Sequence, residues 1–211
     1  MDNLTPIADD IRAELDAKNA ARDKALVTSR EAIRFCANSI RNVHRGEYEE
    51  AEKLLEEAKV RVRETADELK DFPDLYYAGY VQDAQKAYTE AETVMAIMRN
   101  QPVRSNRDIG VESAPYLNGL AEAASELRRD VLDLIRSGQI GRAEEVLKAM
   151  DDLYYMLVTF DYPDGITGGL RRTLDAARAV LERTRGDLTI TIRQRELELT
   201  MREAIEVFRK E

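Results

Sequence analysis

Glu122 and Glu126 stand four residues apart in a stretch of helical periodicity, so their carboxylates project from one side of a helix. Like charges at that spacing repel, and the apolar stripe of Leu117, Leu120, Ala124, Leu127 and Val131 lies opposite. Solvent exposure accounts for such a face. So does a hard-cation site, because Mg²⁺ takes oxygen ligands from one or two carboxylates and keeps several waters. Glu90, on a separate helical stretch, supplies a third oxygen donor if the two helices pack side by side.

A second pattern concerns phosphate. At 100° per residue Arg30, Arg34, Arg41 and Arg45 fall within a stripe about 60° wide, with Asn38 beside it. Leu26, Ile33, Cys36, Ile40 and Val43 occupy the other side. From Arg22 to Arg45 six Lys or Arg face only two acids, Asp23 and Glu31, in a chain whose net charge is −9. The arginines either pair with acids on neighbouring helices or form a track for phosphates, which the planar guanidinium grips in bidentate fashion. His44 is the only histidine. With no second histidine or cysteine ligand nearby it is a poor zinc ligand, and a phosphate contact or a helix-end role suits it better.

The elements that carry these residues are helices. Ten glycines and five prolines in 211 residues are too few for the turns of a sandwich or barrel, and 35% charged residues indicate solvated helix faces. Breakers place helices at about 7–43, 48–71, 74–99, 115–136 and 139–160, then a sixth ending near Gly186 and a last segment reaching Glu211. Residues 100–113, with Pro102 and Gly110, read as a loop. Leu188, Ile190 and Ile192 alternate with threonines in a strand-like pattern, but a lone strand has no partner here, so the segment is read as helix. Its stripe of Leu197, Met201, Ile205 and Phe208 can cap the subunit's own core or meet a neighbour, and the own-core reading is the more ordinary. The arginines Arg171, Arg172, Arg178 and Arg185 lie among Asp175, Glu182 and Asp187, and mutual pairing explains them.

The single cysteine, Cys36, forms no internal disulfide, the first ten residues carry acids where an export signal carries bases, and the longest apolar run is far short of a bilayer span. A cytoplasmic protein with no membrane partner is expected. No GxxxxGK[ST], GxGxxG, HExxH or CxxC pattern is present, which disfavours nucleotide, dinucleotide, zinc-protease and thiol-redox chemistry.

Five segments in order carry a wider resemblance: Ile40-Arg-Asn-Val-His-Arg45, Leu75-Tyr-Tyr-Ala-Gly79, Ala84-Gln-Lys-Ala-Tyr-Thr-Glu-Ala91, Tyr116-Leu-Asn-Gly-Leu-Ala-Glu-Ala-Ala-Ser-Glu-Leu-Arg128 and Asp161-Tyr-Pro-Asp-Gly-Ile-Thr-Gly-Gly-Leu-Arg171. Their order and spacing resemble the translin–Trax family over roughly residues 20 to 187. The resemblance implies an all-α fold, a single translin-like domain over 1–211 with about six to seven long antiparallel helices, a core at 7–187 and a C-terminal helical segment at 188–211. It implies a hollow homo-oligomer, an octamer by analogy, that binds RNA or single-stranded DNA.

For the catalytic Trax branch the resemblance further implies a metal-dependent endoribonuclease site of four carboxylates, from a Glu-x-x-Glu and an Asp-x-x-x-Glu. Carried over by position, Glu90, Glu122 and Glu126 become catalytic residues and ligands for Mg²⁺, with Mn²⁺ as a substitute, and Arg30, Arg34, Arg41, His44 and Arg45 bind nucleic acid. Glu122 stands where the family usually has aspartate. The first glutamate of Glu-x-x-Glu falls on Ala87, which ligates nothing, and Asp83 is about 10.5 Å from Glu90 along the axis. The implied activity is therefore weakened or lost. The alternatives are a translin-like binder without catalysis and a purely structural helical assembly protein.

Overall fold

The computed structural model describes residues 4–209, and within them every regular element is a helix. Six are long: α1 (Leu4–His44), α2 (Tyr48–Glu68), α4 (Tyr80–Met98), α6 (Ser113–Arg136), α7 (Ile140–Leu157) and α9 (Leu170–Phe208). Three are single turns: α3 (Pro73–Tyr76), α5 (Asn106–Ile109) and α8 (Asp164–Thr167). The fold class read from the sequence is the one observed.

Helix α4 sits centrally, with α1 and α2 on one side and α6 on the other, and α6 in turn packs on α7 and α9. The main core runs through all of them, from Cys36, Ile40 and Val43 of α1 through Tyr88 and Val94 of α4 to Leu120, Leu127 and Val131 of α6. Met150 and Leu157 of α7 and Leu181 and Leu188 of α9 close it. A smaller cluster of Ala25, Leu69, Leu75 and Val81 seals the α1–α2–α4 corner.

At one place α4 and α6 approach too closely for any side chain. A Cβ on Gly119 would meet the Lys86 carbonyl oxygen at 2.6 Å and Thr89 Cβ at 2.6 Å. The glycine thus sets the spacing of the two helices one turn from Glu122 and beside Glu90.

The boundaries depart from the reading above in three places. The expected helix at 74–99 is broken after α3, because Gly79 adopts φ +97°, a region that L side chains avoid, before α4 begins. The expected loop contains α5, capped by Ser105, whose hydroxyl accepts from the Asp108 N–H. Gly186 ends nothing: α9 runs straight through it, because Thr184 and Leu188 on either side are 0% and 2% exposed and packing outweighs the glycine's roughly 1 kcal/mol helix cost. The strand-like 188–192 segment is helical, and its expected end at Glu211 lies outside the described residues.

The stripe at the end of α9 does not cap the subunit's own core. Leu197, Met201, Ile205 and Phe208 are 53–77% exposed. The start of α1 behaves alike, with Leu4, Ile7, Ile11 and Leu15 all about half exposed. Among the described residues no helix is long and apolar enough to cross a membrane.

Candidate nucleic-acid interface and carboxylate centre

Helix α1 presents the arginines. Arg30, Arg34 and Arg41 are exposed, and Arg45 falls just past the helix end in the turn closed by Gly46. Arg41 Nη1 donates to Asn38 Oδ1 at 3.1 Å, and the Arg34 guanidinium lies 5.8 Å from the Phe35 ring centroid. Among the described residues none of these four arginines has a carboxylate within ion-pair distance, although Arg61 and Lys24 nearby are both paired. The track is therefore uncommitted. Ile33, expected on the buried side, is 36% exposed.

His44 is placed elsewhere. It turns inward, with only 2% of its side chain exposed, and bridges two acids of α6. Nε2 lies 2.8 Å from Glu126 Oε1 and Nδ1 lies 2.9 Å from Asp130 Oδ1. Both ring nitrogens are thus occupied by carboxylates, and none faces a phosphate on the arginine side. Burial opposes the charged ring, but hydrogen bonds and charge from Asp130 and Glu126 outweigh it and raise its pKa to about 9. The same contact lowers the Glu126 carboxyl below its ordinary value against the cost of its own burial.

Glu90, Glu122 and Glu126 form one electrostatic cluster across the α4–α6 contact. Burial first, then the charges of Glu122 and Glu126, push the Glu90 carboxyl up to about 7, with Lys86 acting in the opposite direction. Glu90 is also felt by Cys36, buried behind it on α1, whose thiol is pushed up first by burial and then by that carboxylate. Lys86 completes the group. Its ammonium is 3.0 Å from Glu122 and 3.8 Å from Asp83.

The three carboxylates are oxygen donors of the kind a hard divalent cation takes, and burial raises one of them, Glu90, to a pKa of about 7. Glu122 is turned to Lys86 and Glu126 to His44, and among the described residues no three His, Cys, Asp or Glu side chains stand together as a formed ligand group. Ala87 adds no oxygen donor one turn before Glu90, so a two-ion centre lacks ligands.

Two participants escaped the sequence reading. Asp130 was legible, since it extends the spacing of four from Glu122 and Glu126. Lys86 carried no signal beyond its charge. The arginines of α9 do not pair among themselves as expected: Arg185 reaches Asp151 of α7, Asp187 accepts from Arg128 of α6, and Arg172 faces a cavity.

A helical bundle with an arginine track on α1 and a half-buried carboxylate cluster across α4 and α6 has recognisable relatives. No family model matches the chain. It is 31% identical over 182 residues to an uncharacterized protein of Methanocaldococcus jannaschii, spanning 85% of this chain and 80% of that relative. AfC3PO in complex with duplex RNA superposes with a TM-score of 0.83 at 32% identity, over 89% of this chain and 97% of that one. A second AfC3PO structure gives 0.82 at 32% identity, over 89% and 98%. Apo-NeC3PO, at 21% identity, 0.80 and 88% and 97% coverage, shares the fold. The chain belongs to the translin–Trax family, that of the C3PO complexes.

Proposed function

We propose that the chain is the RNA-binding subunit of a hollow homo-oligomer and carries a weakened Mg²⁺-dependent endoribonuclease centre, with Mn²⁺ as a substitute ion. One observation carries the reading. The helix that displays the unpaired Arg30, Arg34 and Arg41 also delivers His44 to Glu126, so phosphate donors and hard oxygen donors share one rigid frame.

The relative AfC3PO, solved with duplex RNA, supports RNA as the ligand class, and single-stranded DNA offers the same backbone charge. Guanidinium contacts to phosphate position a strand without reading its bases, so little sequence preference is expected. An octameric shell follows from the family resemblance.

Glu90, Glu122 and Glu126 would hold the ion. A divalent cation there would acidify a bound water and offset charge developing on the scissile phosphate. Glu90 must give up its proton to ligate, which its pKa of about 7 allows near neutral pH. His44 and Asp130 hold Glu126 in place from behind, and Lys86 steadies Glu122.

Ala87 and the Lys86–Glu122 pair favour a second reading, a translin-like binder without catalysis. Cleavage of a labelled single-stranded RNA with Mg²⁺ and with EDTA, for the parent chain and Glu126→Ala, separates the two. Slow cleavage lost in EDTA and in the variant is the expected result. Retention of RNA without any metal-dependent product would establish the binder, and equal cleavage in every condition would remove the metal from the account.

A further inference from the structure

Beside the carboxylate cluster a cavity of about 620 Å³ opens between α4, α6 and the α8–α9 corner, within the ~300–1,000 Å³ of ordinary ligand sites. Lys86 lines it from α4, Glu122 and Ser125 from α6, and Arg172 and Thr173 from α9. Its inner wall is built. Asn118, 5% exposed, donates from Nδ2 to the Thr167 carbonyl at 2.7 Å and to the Ala114 carbonyl at 2.9 Å, and its Oδ1 accepts from the Thr173 hydroxyl at 2.8 Å. Those bonds pin the corner at Gly168 and Gly169, both at positive φ, from which α9 starts and Arg172 projects.

The charges inside are unevenly used. Lys86 is held by Glu122 and Asp83, whereas Arg172 has no carboxylate within ion-pair distance among the described residues. One bidentate donor therefore lines a nucleotide-sized space that Glu122 also lines. Ser125 lines this cavity and also a groove that holds Glu126 and Arg129, so the two adjoin at Ser125 on α6.

We propose that this cavity is a subsite for one nucleotide unit of the bound RNA strand, with Arg172 gripping its phosphodiester. The inference rests on the reading of the chain as an RNA-binding protein, and it adds a contact from α9 to the track on α1. A strand crossing the carboxylate cluster reaches Arg172 by passing Glu122. A free nucleoside monophosphate offers the same phosphate chemistry, and the experiment tells the two apart.

Binding of a short labelled single-stranded RNA by the full chain is measured in EDTA at salt from roughly 50 to 200 mM, for the parent, Arg172→Ala, Arg172→Lys and Arg34→Ala. Titration with AMP alone is the parallel arm. Arg172→Ala is expected to weaken RNA binding about 3- to 10-fold and to lower the salt slope by about 0.7–0.9, as one lost phosphate contact does. Arg172→Lys should keep the slope with a smaller loss of affinity. An unchanged slope in Arg172→Ala while Arg34→Ala weakens binding overturns the subsite and leaves the RNA-binding reading intact. Failure of the parent to bind RNA overturns both. AMP binding that disappears in Arg172→Ala without any change in RNA affinity reassigns the cavity to a free nucleotide and also overturns the proposal.

Discussion

The imidazole of His44 reaches Glu126 across the helix boundary, Nε2 to Oε1 at 2.8 Å, and so fastens the last acid of the cluster to the arginine helix. The fastening depends on the charge of the ring. Its folded pKa, about 9, lies above the ordinary 6.5, so the imidazolium contributes stability that is complete below about pH 6.5 and lost as pH rises through 9. The full difference corresponds to about 3 kcal/mol. Thermal unfolding of His44→Gln should fall well below the parent at about pH 6, and the gap should narrow by about pH 9.5. A gap independent of pH would show that the ring acts only as packing.

Glu90 has the opposite chemistry and the same slope. Its carboxyl titrates near 7 in the folded chain against an ordinary 4.5, so the folded protein holds the proton more tightly and stability falls as pH rises from 4.5 to 7. Glu90→Gln should therefore raise the melting temperature at pH 8, by roughly 2 kcal/mol or several degrees, and change little near pH 4. Mg²⁺ should stabilise the parent more at pH 8 than at pH 6, and Glu90→Gln at neither. A variant less stable than the parent at pH 8 would contradict the burial of an uncompensated charge.

Ala87 is only partly buried, on the stripe of α4 that carries Glu90. Ala87→Glu should fit there at a cost of about 1 kcal/mol and supply a further oxygen donor. Mn²⁺ affinity and metal-dependent cleavage should both rise by about an order of magnitude, since added carboxylates strengthen a hard-ion site. Titration calorimetry and RNA cleavage check this together, and no change in either would place residue 87 outside the centre.

Gly119→Ala should cost about 1–3 kcal/mol, because the new methyl would overlap α4 backbone and Thr89, each at 2.6 Å. The helices must part between Glu90 and the Glu122–Glu126 pair, so cleavage should fall more steeply than stability. A melting temperature within a degree of the parent would mean that α4 and α6 are not held at that contact.

The arginine track predicts strong salt dependence. Arg34→Ala with Arg41→Ala should reduce the slope of log affinity against log salt by about 1.5, and should do so equally for RNAs of unrelated sequence. Equal slopes for parent and variant would take α1 out of the phosphate path.

The helices were legible because each buries a continuous stripe, as α6 does with Leu120, Ala124, Leu127 and Val131. Periodicity also placed Glu122 and Glu126 on one face and the arginines on another. It could not supply the register between helices. The electrostatic coupling of Glu90 to the α6 acids depends on Gly119 letting two backbones approach, and the inward turn of His44 depends on Asp130 waiting 86 residues further along the chain. Gly79 and Gly186 show the same limit in the backbone: one takes positive φ and breaks a helix, while the other is carried through by the burial of Leu188. The residue type was identical, and only the surrounding contacts differed.

The exposed ends of α1 and α9 bear on how the molecule behaves in dilute solution. Beyond Arg195, whose guanidinium donates to the Gly138 carbonyl, about 20 Å of rod from residue 196 to Phe208 stands clear of the bundle with its greasy edge in water. A lone chain of this shape is sticky at both tips, and its handling should improve, rather than worsen, as concentration rises.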